Sequence, residues 1–147
     1  MLIRLIVPGE HARVEDLNAS LEAVLANHAI DRAIRDDVRL IVEELACNAI
    51  DHGGGNDAAG DTGVGQHPLD VHIDIVDSLL TLEFRDGGVA FDPTLAPTPD
   101  LDADILDRPI GGLGVHLIRE LAESVEYRRA DSQNILRVGL RIPSSEN

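Results

Sequence analysis

LLTLEFRDGG, residues 79–88, alternates apolar and polar side chains and then breaks on an acid and two glycines. Leu80, Leu82 and Phe84 fall on one side of an extended chain, and Thr81, Glu83 and Arg85 on the other. A strand of this kind is half covered: one face rests on a core and the other meets water, as in an antiparallel sheet. Asp86 keeps the parity of the apolar three, so it emerges on the covered face, where a carboxylate needs a hydrogen-bond donor. Gly87 and Gly88 let another group come close to the backbone. An Asp-Gly at a strand end is also an ordinary turn, and taken alone it says no more than that.

The same alternation extends outward. Val71, Ile73 and Ile75 predict the preceding strand, and Ile3, Leu5 and Val7 a strand over 2–7 that ends at Pro8-Gly9. Strands over about 124–129 and 134–142 close the chain, the last with Leu136, Val138, Leu140 and Ile142 on one face. Helical spacing appears in 12–27 (Val14, Leu17, Leu21, Val24) and more strongly in 31–52, with Asp31 as N-cap and a stripe of Ile34, Val38, Ile41, Leu45 and Ala49. A short helix is predicted over about 113–122. The expected class is α+β in two layers: a mostly antiparallel mixed sheet covered on one face by about three helices, forming one domain over 1–147 without internal repeat.

Two segments carry neither period. Residues 53–68, GGGNDAAGDTGVGQHP, read as a flexible insertion; they lack the preceding strand and following helix that a phosphate loop requires. Residues 87–112 hold four of the seven prolines, with acids between them, and 92–112 read as a long functional lid.

Composition excludes several classes. The net charge is −15 with no basic block, which argues against direct nucleic-acid binding and against an anionic membrane surface. All 12 basic residues are arginine, so neither a Walker A lysine nor Schiff-base chemistry is available. One cysteine, Cys47, cannot form an internal disulfide, which fits a reducing cytoplasm. No stretch reaches transmembrane length, and the apolar start is too short for a signal peptide. Aromatics are 2% of the chain, so the core must be built from Leu, Ile, Val and Ala.

Chemistry concentrates at three places. On the 31–52 helix, Glu44 and Asn48 are one turn apart and share a shoulder of the apolar stripe, at the edge of the core. An amide oxygen there can ligate Mg²⁺, and a half-buried carboxylate can take a proton from a hydroxyl. Glu43 points away from the stripe and reads as a surface acid. Asp86 with Gly88 forms the second place; a purine amino group is a suitable donor for that carboxylate. Gly111, Gly112 and Gly114 form the third, opening a helix whose N–H groups and dipole favour phosphate.

In this order the segments ELACNAIDHGG (44–54), DGGVAFDP (86–93) and GGLGVHLIREL (111–121) resemble the ATPase superfamily of histidine kinases, gyrase B, Hsp90 and the mismatch-repair ATPases. The Asn48-Ala49-x-x-His52-Gly53 and Phe91-Asp92-Pro93 pieces resemble its anti-sigma-factor and switch-protein serine kinases. The resemblance spans essentially the whole chain and implies a Bergerat-type fold that binds ATP with Mg²⁺. It implies Glu44 as catalytic base on a target serine and Asn48 as Mg²⁺ ligand. Asp86 would bind the adenine amino group with Gly88 beside it, and Gly111, Gly112 and Gly114 would wrap the phosphates. His52 matches the motif without an assigned role. Where some relatives carry an arginine near the lid glycines, the nearest here is Arg108, and the 53–68 insertion is longer than the family pattern.

The activity so implied is a cytoplasmic protein serine/threonine kinase that regulates transcription by partner switching. Its substrate would be a small STAS-type anti-sigma-factor antagonist, its other partner a sigma factor or similar regulator, and its state could include a homodimer. The alternative is an ATP-binding module that sequesters a partner without phosphoryl transfer; a retained Glu44 favours the kinase. A detached histidine-kinase catalytic domain fits less well, because no helix carries a phospho-accepting histidine.

Overall fold

The structure is a computed structural model and describes residues 2–52, 67–90, 92, 94 and 112–143. Within them run β1 (Ile3–Val7), α1 (His11–Asn27), α2 (Arg32–His52), β2 (Leu69–Val76), β3 (Leu79–Asp86), α3 (Gly112–Leu121), β4 (Ser124–Ala130) and β5 (Gln133–Arg141). The expected elements are all present, with ends moved by a residue or two. The 53–66 part of the predicted insertion, and all of the predicted lid except residues 92, 94 and 112, lie outside the described residues.

The five strands form one sheet in the order β1-β2-β3-β5-β4. Every pairing is antiparallel among the described residues. The parity read from the sequence sets the faces: Val71 lies opposite Phe84, Ile73 opposite Leu82 and Leu80 opposite Leu140. Val71, Ile73, Leu80, Leu82, Val138 and Leu140 are at most 1% exposed. Both tight hairpins turn on Asp-Ser. Asp77 and Ser78 have φ of 51° and 65°, and Asp131 and Ser132 have φ of 52° and 62°. Two consecutive left-handed residues make the turn whose twist matches that of the flanking strands.

The helices cover the face of the sheet that carries those apolar side chains. α2 buries Ile34, Val38, Ile41 and Leu45 as expected, but also Val42, Ala46 and Ile50, whereas Ala49 is only partly buried. The wider stripe follows from position: α2 packs against α1 as well as against β3 and α3, so it needs apolar contact on two sides. On α1 the buried positions are Val14, Leu17, Asn18, Leu21 and Leu25; Leu25 takes the inward place expected for Val24. Arg35 bonds Glu22, and Arg39 grips both oxygens of Glu15 at 2.7 and 2.6 Å, tying α2 to α1 along their outer edge. The exposed Arg39–Glu15 pair orients the helices more than it stabilises them. No helix among the described residues is long and apolar enough to cross a membrane.

Candidate functional site

α2 packs against both β3 and α3, so the helix bearing the first sequence motif touches the elements bearing the other two. Glu44 and Asn48 are both half-buried. They sit between Leu45, which is 5% exposed, and the more open Glu43 side of the helix. Burial pushes the Glu44 carboxyl above the usual range, and the negative charge of Glu43 adds to the effect. A carboxyl so placed holds its proton more firmly than a free glutamate and, once ionised, is a stronger base. Glu43 lies 3.9 Å from the Arg39 Nε and is 44% exposed, on the α1 side of the helix.

Cys47 and Asp51 follow Glu43 at four-residue intervals and meet the first residue of α1. His11 Nε2 is 2.8 Å from Asp51 Oδ1, and His11 Nδ1 is 3.9 Å from the Cys47 sulfur. Burial, then the charges of Asp51, Glu44 and Glu43, push the Cys47 thiol up, so it stays protonated. This row ties the start of α1 to the end of α2. The side chain of His52 lies outside the described residues.

Asp86 ends β3 on the covered side, as its parity requires, and it is held from two directions. Its Oδ1 accepts the Gly88 N–H at 3.0 Å, closing the turn, and the Asn134 Nδ2 at 3.1 Å from β5. Asn134 is opposite Asp86 in the β3–β5 register and only 7% exposed. Its amide also donates to the Val89 carbonyl at 2.9 Å, and its own oxygen accepts the Tyr127 hydroxyl at 2.6 Å. Arg129 donates to the Gly88 carbonyl at 2.8 Å. The turn after β3 is therefore clamped by Asn134 and Arg129 of the β4–β5 hairpin, with Tyr127 bracing Asn134. Sequence reasoning missed Tyr127, Arg129 and Asn134, which belong to no glycine or acid motif. Only the polar Asn134 heading an otherwise apolar run hinted at them.

Gly112 and Gly114 lie in the first turn of α3; Gly111 lies outside the described residues. No group of three or more His, Cys, Asp or Glu among the described residues is arranged to hold a metal. Asn48 and Glu44 each carry a side-chain oxygen on this half-buried shoulder of α2.

A family profile described as "Histidine kinase-like ATPase domain" matches residues 7–140. A serine/threonine-protein kinase of Bordetella bronchiseptica, BtrW, is 33% identical over 72 residues, which is 48% of this chain and 51% of that protein. The match thus spans about half the length of this curated relative. Among solved structures, the RsbU and RsbW domains of a Mycobacterium tuberculosis protein superpose with a TM-score of 0.63 at 13% identity, over 95% of this chain and 31% of that one. The Acinetobacter baumannii histidine kinase AdeS gives 0.51 at 17% identity, over 98% of this chain and 70% of that one. At such identities the structures speak for the fold.

Proposed function

We propose, since the chain belongs to the family of the histidine kinase-like ATPase domain, that it is an ATP-dependent protein serine kinase of the partner-switching kind. Its substrate class is a small STAS-type antagonist protein, and its other partner a sigma factor or comparable regulator. The observation that carries the reading is Glu44: a half-buried carboxyl whose proton affinity is raised, one helical turn from an amide that suits Mg²⁺. The likeness to a serine/threonine-protein kinase supports it.

The residues fit the groups that the family implies. Asp86 offers a fixed acceptor for the adenine amino group, with its Oδ1 anchored by Gly88 and Asn134. Asn48 would give one oxygen to Mg²⁺, the others coming from phosphate and water. Gly111, Gly112 and Gly114 would offer N–H groups to the phosphates at the start of α3. ATP supplies the transferable phosphoryl group when bound. Glu44 takes the proton of the acceptor serine as its oxygen bonds to phosphorus, and ADP leaves.

The test is transfer from ATP to a cognate antagonist, followed by mass shift. Glu44→Gln keeps shape and hydrogen bonding but removes the base, so transfer should fall by about 10²–10⁴-fold while ATP affinity stays near wild type. Glu43→Gln should transfer at the wild-type rate near neutral pH. Equal rates in Glu44→Gln and wild type would remove Glu44 from catalysis. Tight ATP-dependent partner binding by a wild type that transfers nothing would favour the sequestering module.

A further inference from the structure

The turn that follows β3 has two flanks, and the β4–β5 hairpin holds only one of them. On the other flank lies the start of β2. Leu69, 1% exposed, is the register partner of Asp86 there, as Asn134 is on the β5 side. Two residues before Leu69 stands His67, and its ring rests on the turn itself. A Cβ placed on Gly87 would come within 3.2 Å of His67 Nδ1, 3.5 Å of its Cγ and 3.8 Å of its Cβ. The imidazole thus fills the room that a side chain at position 87 would need. Position 87 lies between the acid and the glycine of the Asp86-x-Gly88 pattern, where the pattern makes no demand on the residue. The fold supplies the reason for glycine there: the side chain that packs on this turn comes from another strand.

His67 is itself held by its neighbours. Val7 lies opposite Leu69, and the same register carried two residues further brings Gly9 beside His67. The His67 carbonyl oxygen occupies the place that a Cβ on Gly9 would take, so the two backbones touch and a larger residue at 9 would drive them apart. Pro68 follows, and a residue before proline is confined to extended backbone. The side chain of His67 makes no hydrogen bond or ion pair among the described residues, and the residue is exposed. Its ring therefore acts by contact with the turn, not by a polar bond to it.

We propose that His67 is a positioning residue for recognition of the nucleotide base. The inference rests on the reading of Asp86 as acceptor for the adenine amino group, and it deepens that reading. Asp86 Oδ1 is engaged by Gly88 and Asn134, which leaves Oδ2 to meet a base. The tilt of the turn decides where Oδ2 stands. Asn134 and Arg129 restrain that tilt from the side of the hairpin; His67 opposes them from the β2 side. A turn pinned on both flanks keeps its acceptor at a fixed place, where an amino group satisfies it and a keto oxygen repels it. A turn pinned on one flank can swing away from the keto oxygen and let water serve the carboxylate instead, so discrimination falls. His67 touches no nucleotide in this scheme; it works through Asp86.

Calorimetric titration of the full chain with Mg-ATP and with Mg-GTP tests this. The wild type should prefer ATP. His67→Ala should narrow the ATP-over-GTP ratio by roughly three- to tenfold, the size of one weakened hydrogen bond, through weaker ATP binding with GTP binding unchanged. Gly87→Ala displaces the ring and should narrow the ratio likewise. In the double variant H67A/G87A the two methyl carbons would lie 3.8 Å apart, in ordinary contact, and most of the ratio should return. Asp86→Asn removes the acceptor, and His67→Ala added to it should narrow the ratio no further, because the two act as one unit. Circular dichroism confirms that each variant is folded. A His67→Ala variant with the full preference of wild type overturns the role of His67 and leaves that of Asp86 standing. Equal losses of ATP and GTP affinity, or a double variant no better than the single ones, would make His67 a prop of the fold alone and overturn the proposal too. A wild type with no preference for ATP overturns the adenine reading itself, and the role of His67 with it.

Discussion

At the scale of single residues, Glu44 is held under a cost. Its carboxyl is half-buried and has Glu43 beside it, so its folded-state pKa is raised above the unfolded value. The ionised form is then disfavoured by folding, and stability falls as pH rises through the raised pKa. Glu44→Gln has no such charge. It should melt higher than wild type by a few degrees at most above that pH, and show no difference in acid, where the wild-type carboxyl is protonated too; for a half-exposed group the gain stays within about 1 kcal/mol. Calorimetric melting from acid to neutral pH reads this directly. An equal or lower melting point at neutral pH would mean that Glu44 has ionic or hydrogen-bonded support not seen in the fold. The same variant should lose transfer, so one residue would show stability given up for activity.

At the scale of elements, the β4–β5 hairpin holds the turn that follows β3. Asn134→Ala removes the bonds to Asp86 and Val89 and leaves the Tyr127 hydroxyl without its partner. It should destabilise by about 1–3 kcal/mol in urea and reduce discrimination of ATP over GTP. Tyr127→Phe should cost about 1 kcal/mol and leave that discrimination nearly intact, since Asn134 would still hold Asp86. Unfolding curves and calorimetry with the two nucleotides separate the outcomes; a Tyr127→Phe change as severe as Asn134→Ala would make the hydroxyl the real anchor. Strand faces were legible because a period of two leaves a plain trace in residues such as Leu80, Leu82 and Phe84. The shoulder of Glu44 and Asn48 was legible from helical geometry. The clamp was not, since Asn134 meets Asp86 only once β5 lies beside β3, and no spacing along the chain encodes that. The wider buried stripe of α2 was missed for the same reason: Val42 and Ala46 are inward only because α1 packs on that side. Asp-Ser turns gave little signal, lacking the glycine that usually marks such hairpins.

At the scale of the molecule, a net charge of −15 on 147 residues works against compactness. Screening is nearly complete beyond about 10 Å at 0.1 M salt, so raising salt from a few millimolar should lift the melting temperature by several degrees. A flat or falling dependence would mean that local ion pairs, such as those joining α1 and α2, outweigh the general repulsion. The strand order carries a different consequence. β5 follows every other described strand in sequence yet lies inside the sheet, between β3 and β4. During synthesis the flank of β3 therefore waits without a neighbour, and Asp86 without Asn134, until residues beyond 134 have left the ribosome. A polypeptide cut short by premature termination or proteolysis before that point lacks the pairing and the clamp together. Such fragments would expose the β3 edge that β5 covers in the intact sheet, an unpaired row of backbone groups open to pairing with other chains.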